Sequence, residues 1–401
     1  MKILVVCQYY YPEPFRLPDI CSAMAAMGHS VTVVTGTPNY PEGEIYPGYK
    51  GGARADEVID GVRVHRCPLI PRKQGALYRF LNYYSFVFSS RRYLRKMKED
   101  FDVVLVNQLS PVMMAEGALA WAKRHRRKCV LYCLDLWPES LLAGGIRKDS
   151  LIYKVFLKIS RRIYRQADTL LVSSWGFRDY FRDEFGIAEK QVRHLPQYAE
   201  EMFDELPPVQ EEKQGIHFMF AGNVGQTQSV ETIVAAARLL KEDVNIHFDI
   251  VGGGISLETC RELAEGLPNI TFHGRRDLQE MPAFYARADA MLVTLVDDPI
   301  LSTTLPGKVQ SYMAAGKPVI GSINGETARL IREADCGACA PAEDARALAE
   351  VIRRAAAEPE KLRQQGENAR KYYKTHFRKD IFIRELLDTL EKNVTEHPDQ
   401  R

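Results

Sequence analysis

Short, fully apolar runs alternate with helix-spaced stretches along this chain, and they do so twice. The opening KILVVCQYY reads as a buried strand, DICSAMAAMG as a helix and HSVTVVTG as the next strand. Parallel strands need a crossover, usually a helix, and a sheet covered on both faces selects such apolar runs. Further strands follow at FDVVLVNQ, KCVLYCLD and DTLLVSS, separated by helical stretches around residues 76–98, 111–125 and 150–166. The polar, proline-rich LPPVQEEKQG, Leu206 to Gly215, breaks the pattern. Strands then resume at IHFMFAG, NIHFDIVGGG, NITFHG, AMLVTL and KPVIGS. The pattern predicts an α/β fold: two tandem Rossmann-like, doubly wound domains, 1–200 and 201–375, facing across a cleft. At 401 residues the chain is long enough for two cores. Apolar residues at Ile381, Ile383, Leu386, Leu387 and Leu390 predict a final helix within residues 376–401 that returns, with its tail, to the first domain.

Several function classes are disfavoured at once. The loop after the first strand, QYYYPEP, has no glycine, so the dinucleotide fingerprint is missing where a nicotinamide or flavin enzyme would need it. The eight cysteines are scattered, and Cys336 and Cys339 form a single C-x-x-C without a second pair, so no metal or other cofactor is expected. Met1 leads straight into a strand without a charged region, apolar core and cleavage site. No apolar run approaches the roughly 18 residues of a membrane span. A cytoplasmic protein is expected. The net charge of +2 conceals a split, because residues 1–200 carry 30 Lys and Arg against 20 Asp and Glu. A basic half suits nucleic acid or an anionic membrane surface equally well, but no nucleic-acid motif accompanies it. Residues 72–98 interleave aromatic and aliphatic side chains with eight basic ones. Leu77, Phe80, Leu81, Tyr84 and Phe88 are predicted to pack on the sheet, leaving Tyr78, Tyr83, Phe86 and Val87 for a second surface such as a lipid leaflet.

Two turns have the chemistry of phosphate loops. In LPGKVQSYMAAG, Leu305, Pro306 and Gly307 precede a helix whose free N–H groups and positive end would face a diphosphate, with Lys308 adding charge. In AGNVGQTQS, Gly222, Asn223 and Gly225 join a strand to a helix in the same manner. Gly252 to Gly254 is a weaker glycine turn, as compatible with a tight bend as with phosphate. Asp135 ends a strand, where open α/β sheets present catalytic groups, although a helix-capping aspartate explains it too. Arg16 is a candidate for an acceptor phosphate or a surface ion pair. Glu326 opens a helix, where an acid is favoured electrostatically whether or not it binds ligand.

Three segments, MGHSVTVVTGTPNYPEGEIYPGY, LDLWPESL and LPGKVQSYMAAGKPVIGSINGETARLI, together resemble the family-four retaining glycosyltransferases, in the WbuB/WcaI-like branch of surface-polysaccharide synthesis. The resemblance spans nearly the whole chain. It implies a GT-B fold and metal-independent transfer of a sugar, such as an N-acetylated deoxyhexosamine, from a nucleotide-sugar held by the C-terminal domain. The acceptor it implies is a polyprenyl-diphosphate-linked glycan, used by a protein peripherally attached to the inner face of the plasma membrane. It also implies roles for single residues. Lys308 would stabilise the leaving diphosphate, Asp135 would orient the acceptor hydroxyl with Trp137 and Glu139 supporting the pocket, and Gly274 and Arg275 would lie near the base. Many members place two glutamates with seven residues between them at the donor; Thr303 and Ser311 stand in those places here, with Thr304 and Glu326 as neighbouring donor contacts. Two other readings stay open: a nucleotide-sugar 2-epimerase, which shares the two-domain architecture, and a non-catalytic nucleotide-sugar-binding protein, which the missing acid pair allows.

Overall fold

A computed structural model of the chain describes residues 1–73, 75–209 and 213–395, so residues 210–212 of the proline-rich connection and the tail 396–401 lie outside the described residues. The chain forms two units. One comprises residues 1–173, 177–195 and the chain from Ile383; the other comprises residues 174–176 and 196–382.

The first unit contains β1 (Lys2–Val6), α1 (Leu17–Ala26), β2 (Ser30–Gly36), β3 (Asp56–Ile59), β4 (Val62–Cys67), α2 (Ala76–Lys96), β5 (Val103–Gln108), α3 (Glu116–His125), β6 (Lys128–Cys133), α4 (Leu151–Tyr164), β7 (Thr169–Val172), α5 (Trp175–Phe185) and β8 (Val192–His194). Its sheet order is β3-β4-β2-β1-β5-β6-β7-β8, parallel except for the antiparallel β3–β4 pair. Ile3 to Val6 and Val103 to Val106 are buried on both faces, as a parallel sheet clad by helices demands. Strand order reverses at β1, which lies between β2 and β5, so a crevice opens beyond the carboxyl ends of β1 and β5.

The second unit contains β9 (Ile216–Ala221), α6 (Val230–Leu239), β10 (Ile246–Val251), α7 (Leu257–Leu263), β11 (Ile270–Gly274), α8 (Met281–Arg287), β12 (Ala290–Thr294), α9 (Gly307–Ala314), β13 (Val319–Ser322), α10 (Gly325–Glu333), β14 (Gly337–Ala340), α11 (Ala345–Ala357), α12 (Pro359–His376) and α13 (Lys379–Thr395), the last running on into the first unit. Its wholly parallel sheet has the order β11-β10-β9-β12-β13-β14, with the reversal between β9 and β12. The loops after these two strands are therefore neighbours, and they carry the glycine turn and the segment leading into α9.

In α13, Ile383, Leu386, Leu387 and Leu390 are buried, and Asn393 exchanges hydrogen bonds with Thr169 of β7 at 3.1 and 3.2 Å. Asn393 is 8% exposed and its amide also donates to the Thr389 carbonyl at 2.9 Å. Removing it strands the Thr169 hydroxyl, so Asn393→Ala should cost about 1–3 kcal/mol in a urea melt. An unchanged midpoint would mean that water replaces the amide.

The face of α2 departs from expectation at most of the nominated positions, while Tyr78 is exposed as expected. Phe86 and Val87 are buried with Asn82, Ser90 and Leu94, whereas Leu77, Tyr78, Phe80 and Phe88 are exposed, Phe88 to 72%. The polar pair Asn82 and Ser90 decided the matter. Asn82 donates to the Ile70 carbonyl and accepts from Gln8, which anchors the inner face in a way an apolar count does not register, while the buried Ser90 hydroxyl is satisfied within the helix by the Phe86 carbonyl.

Candidate functional sites

In the second unit the loops after β9, β10 and β11 are stitched together by their backbones. The Gly222 N–H donates to the Val251 carbonyl, the Val224 N–H to Gly253 and the Gly252 N–H to Gly274, at 2.8–2.9 Å. Gly252 has φ +144°, and a Cβ there would lie 1.8 Å from the Gly222 carbonyl oxygen. Gly254, at φ +157°, is equally closed to a side chain by Val224. The Gly252–Gly254 turn thus makes room for the Gly222 loop itself. Gly274 has φ +69° and open space where a Cβ would go, and Arg275 is exposed beside Gly253.

Beside that loop stands the start of α9. Pro306 occupies its N-cap with φ −62° and ψ 132°, and no side chain caps the first turn. Tyr312 ties the helix to the end of β9, since its hydroxyl donates to the Ala221 carbonyl at 2.9 Å and accepts from the Ala221 N–H at 3.1 Å. The tether brings Lys308 over β9. Its Nζ lies 3.8 Å from the Phe220 ring centroid and 2.8 Å from where a Gly222 Cβ would stand, so Gly222 is required for the approach. This Nζ is sealed from solvent and has no hydrogen-bond partner. Burial alone pulls the Lys308 ammonium down from 10.5 to about 7. An unpartnered buried ammonium beside a glycine turn and an uncapped helix start is a place prepared for an anion.

The other residues nominated in this region divide. Thr303 and Thr304 turn their hydroxyls onto the Ile300 and Leu301 carbonyls at 2.7 Å, and Leu305 leads from them into Pro306. Ser311 is 5% exposed, and its hydroxyl lies 3.4 Å from a Glu200 carboxylate oxygen, which brings an acid beside one position of the missing pair. Glu326 is gripped by Arg329, whose Nη2 and Nε lie 2.7 and 3.3 Å from its two oxygens. Asn223 donates to Gln228 at 3.2 Å, and Gly225 leaves room for that contact.

The first unit has a polar floor at the carboxyl ends of its strands. Asp135, just past β6, accepts from the Ser110 and Ser140 hydroxyls on its two carboxylate oxygens. Burial pushes this carboxyl above the usual range, while those two hydroxyls pull it back. Trp137 is buried and donates from its indole to Ser110 at 2.8 Å. Tyr83 meets Trp137 edge-on at 6.5 Å. Glu139 lies deeper; it is 3% exposed and accepts from the Tyr153 and Tyr180 hydroxyls at 2.8 and 2.9 Å, which makes it a support beneath the floor. Arg16 stands at the N-cap position of α1. Sequence reasoning passed over Glu13, whose buried carboxylate accepts from the backbone N–H groups of Tyr10, Asn39 and Tyr40 at 2.8–3.1 Å and so latches the loops after β1 and β2. Burial pushes Glu13 up to about 7 against those donors. The glycine-free QYYYPEP loop carries this latch.

Residues 16–197 match the family described as "Glycosyl transferase 4-like domain", and residues 215–358 match "Glycosyl transferases group 1". Together the two matches span most of the chain, which carries both domains of a glycosyltransferase. It is 30% identical over 241 residues to "Probable glycosyltransferase WbjE" of Pseudomonas aeruginosa, an alignment covering 56% of this chain and 59% of that protein's length. It is 25% identical over 338 residues to WcaI of Escherichia coli K12, whose name ties it to colanic acid biosynthesis, covering 79% and 82% of the two chains. Among solved structures, HepE of Anabaena in complex with UDP superposes with a TM-score of 0.71 at 14% identity, covering 98% of this chain and all of that one. WaaG, a glycosyltransferase involved in lipopolysaccharide biosynthesis, does so with a TM-score of 0.67 at 18% identity, over 96% and 99% of the two chains. At these identities the structures establish the fold, which is GT-B. The first match ends at residue 197 and the second begins at residue 215, and each unit carries its own cluster of candidate residues.

Proposed function

We propose that this glycosyltransferase moves a sugar from a UDP-activated donor to a polyprenyl-diphosphate-linked glycan in the synthesis of a bacterial surface polysaccharide, with retention at the anomeric carbon and without a metal. The observation that carries the reading is the Lys308 ammonium, buried without a partner between the Gly222 turn and the start of α9. The leaving group of a nucleotide-sugar is a diphosphate whose charge grows as the glycosidic bond breaks, and preorganised cations and N–H groups stabilise that growth. In a front-side displacement the departing phosphate oxygen takes the acceptor proton, so Asp135 needs only to orient the attacking hydroxyl. The names of WbjE and WcaI support the pathway class, and UDP in HepE supports the nucleotide. An N-acetylated deoxyhexosamine is the sugar class carried over from the sequence resemblance.

The decisive experiment is a screen of nucleotide sugars for nucleotide release, with and without a polyprenyl-diphosphate-sugar acceptor. Acceptor-dependent UDP release is expected. Isomerisation of the donor alone would replace the reading with an epimerase, and donor binding without turnover would leave a binding protein. Asp135→Asn keeps the shape that Ser110 and Ser140 hold but removes the charge, so transfer should slow about tenfold, or 1.4 kcal/mol, with donor affinity unchanged. A wild-type rate would return Asp135 to a purely structural place.

The reading includes attachment to an anionic membrane surface. Among the described residues no helix is long and apolar enough to cross a membrane. On α2, Leu77, Phe80 and Phe88 are exposed ahead of Arg91, Arg92, Arg95 and Lys96, all exposed as well. On α4, Leu151, Ile152 and Val155 are exposed among Lys154 and Lys158. The two helices are neighbours, for Arg91 and Arg162 both reach Glu116, and Trp137 meets Tyr83 of one and Phe156 of the other. Apolar side chains flanked by cations suit an interface of acyl chains and anionic headgroups.

A further inference from the structure

Arg72 lies between β4 and α2, at the start of the basic and aromatic segment 72–98. Its backbone N–H donates to Asn39 Oδ1 at 2.8 Å, and its carbonyl sits so close to Gly43 that a Cβ there would stand 2.5 Å away. Gly43 has φ +75°, so the close approach and the backbone geometry both call for glycine. Asn39 is wholly buried and is held in turn by Asn82 and by the Glu13 latch, so the position of Arg72 is fixed by the loops after β1 and β2.

What surrounds the guanidinium is aromatic. It lies over the Tyr40 ring at 5.6 Å and the Tyr83 ring at 5.8 Å from the centroids, and the Tyr9 side chain faces it. Ring faces and a phenol favour a cation, but they carry no counter-charge. Among the described residues no carboxylate lies within ion-pair distance of Arg72, although other partly buried arginines here have one: Arg66 has Glu57, and Arg127 has Asp100. Tyr83 then connects Arg72 to Ser110, Trp137 and Asp135 at the carboxyl ends of β5 and β6. A partly buried guanidinium with its charge uncompensated, on the same floor as the residue placed to orient the acceptor, is suited to a planar, bidentate hold on phosphate oxygens.

We propose that Arg72 binds the phosphate of the lipid-linked acceptor, with Tyr9, Tyr40 and Tyr83 holding its guanidinium in place. The inference rests on the reading of the acceptor as a polyprenyl diphosphate. Arg72 is then an acceptor-binding residue that sets the distance from the anchoring phosphate to the sugar hydroxyl at Asp135. A lysine would keep the charge and lose the fork.

The test uses the full-length chain with farnesyl diphosphate as the acceptor probe and UDP as the donor-side probe, both by calorimetry. Wild type should bind each. Arg72→Gln should weaken farnesyl diphosphate at least tenfold, leave UDP within twofold and raise the acceptor KM while largely preserving kcat; Arg72→Lys should fall between. Melting curves of both variants check that the loops remain folded. If wild type fails to bind farnesyl diphosphate, the acceptor reading falls and takes this proposal with it. If wild type binds and Arg72→Gln binds equally well, the acceptor reading stands and Arg72 has no part in it. Loss of UDP affinity in Arg72→Gln would overturn the proposal by moving Arg72 to the donor.

Discussion

Lys308→Met should lose 10²- to 10³-fold in transfer rate while melting at or above the wild-type temperature. The two halves of this expectation have one cause. Without donor, the Lys308 ammonium is buried over the Phe220 ring with no hydrogen-bond partner among the described residues, and a charge held so costs stability that a methionine of similar length would not. In the proposed donor site the same ammonium would meet a diphosphate whose charge rises toward the transition state, where a preorganised donor is worth that many-fold in rate. UDP affinity should also fall, by about 10- to 100-fold, the range for hydrogen bonds to charged groups.

The pH dependence of this site has a definite sign. Burial holds the Lys308 ammonium down at about 7 in the fold, against the ordinary 10.5 of an exposed lysine. Between those values the unfolded chain binds more protons than the folded one, so this group's contribution to stability rises with pH from about 7 to 10.5. Binding runs the other way. UDP needs the protonated form, so its affinity should fall by up to about tenfold per pH unit above 7, and binding at pH 8 should take up a proton. Calorimetry in buffers of different ionisation heat measures that uptake. Lys308→Met should abolish it. Wild-type turnover by the variant at subsaturating donor, or an unchanged proton count, would remove Lys308 from the donor site.

The sequence exposed what depends on local pattern and hid what depends on assembly. The period of apolar runs was enough for a parallel α/β sheet, because strands such as β1 and β5 are buried on both faces and cannot carry polar alternation. Lys308 and Gly222 were legible as separate phosphate turns. Their meeting was not, since it depends on Tyr312 binding both backbone groups of Ala221, a contact across 91 residues. Glu326 read as a donor ligand or a helix-opening acid, and the i,i+3 fork from Arg329 occupies the carboxylate in this fold. Arg72 could not be singled out, because its environment is assembled from the segments that hold Tyr9, Tyr40 and Tyr83. On α2 the apolar count alone chose the wrong face. Asn82 and Ser90 are poor core residues by hydropathy, yet each satisfies its hydrogen bonds inside and turns Phe88 outward.

That reversal sharpens the expectation for membrane docking. Arg91, Arg92, Arg95 and Lys96 continue the outer stripe begun by Leu77, Phe80, Tyr84 and Phe88, so cations and apolar side chains would meet a bilayer together. Each cation near an anionic surface contributes about 1 kcal/mol. Replacing all four by glutamine should therefore lower partition onto phosphatidylserine-containing vesicles by up to about 10³-fold at low salt, with less lost where Arg91 is already shared with Glu116. Raising the salt should weaken wild type toward the variant, since exposed charges are screened over about 8 Å at physiological ionic strength. The residual, salt-resistant binding belongs to Tyr78, Phe80 and Phe88 rather than to Phe86, which is fully buried. Phe80→Ser with Phe88→Ser should remove most of that salt-resistant binding, leaving only the share of Tyr78, and keep the salt slope in place. Transfer to a short-chain, water-soluble acceptor should stay near wild type in both variants, because neither touches Arg72, Asp135 or Lys308, while transfer to a long-chain acceptor in vesicles should fall with partition. If the quadruple variant sediments with anionic vesicles as wild type does, the stripe is a solvated helix face and the proposed docking through α2 is wrong.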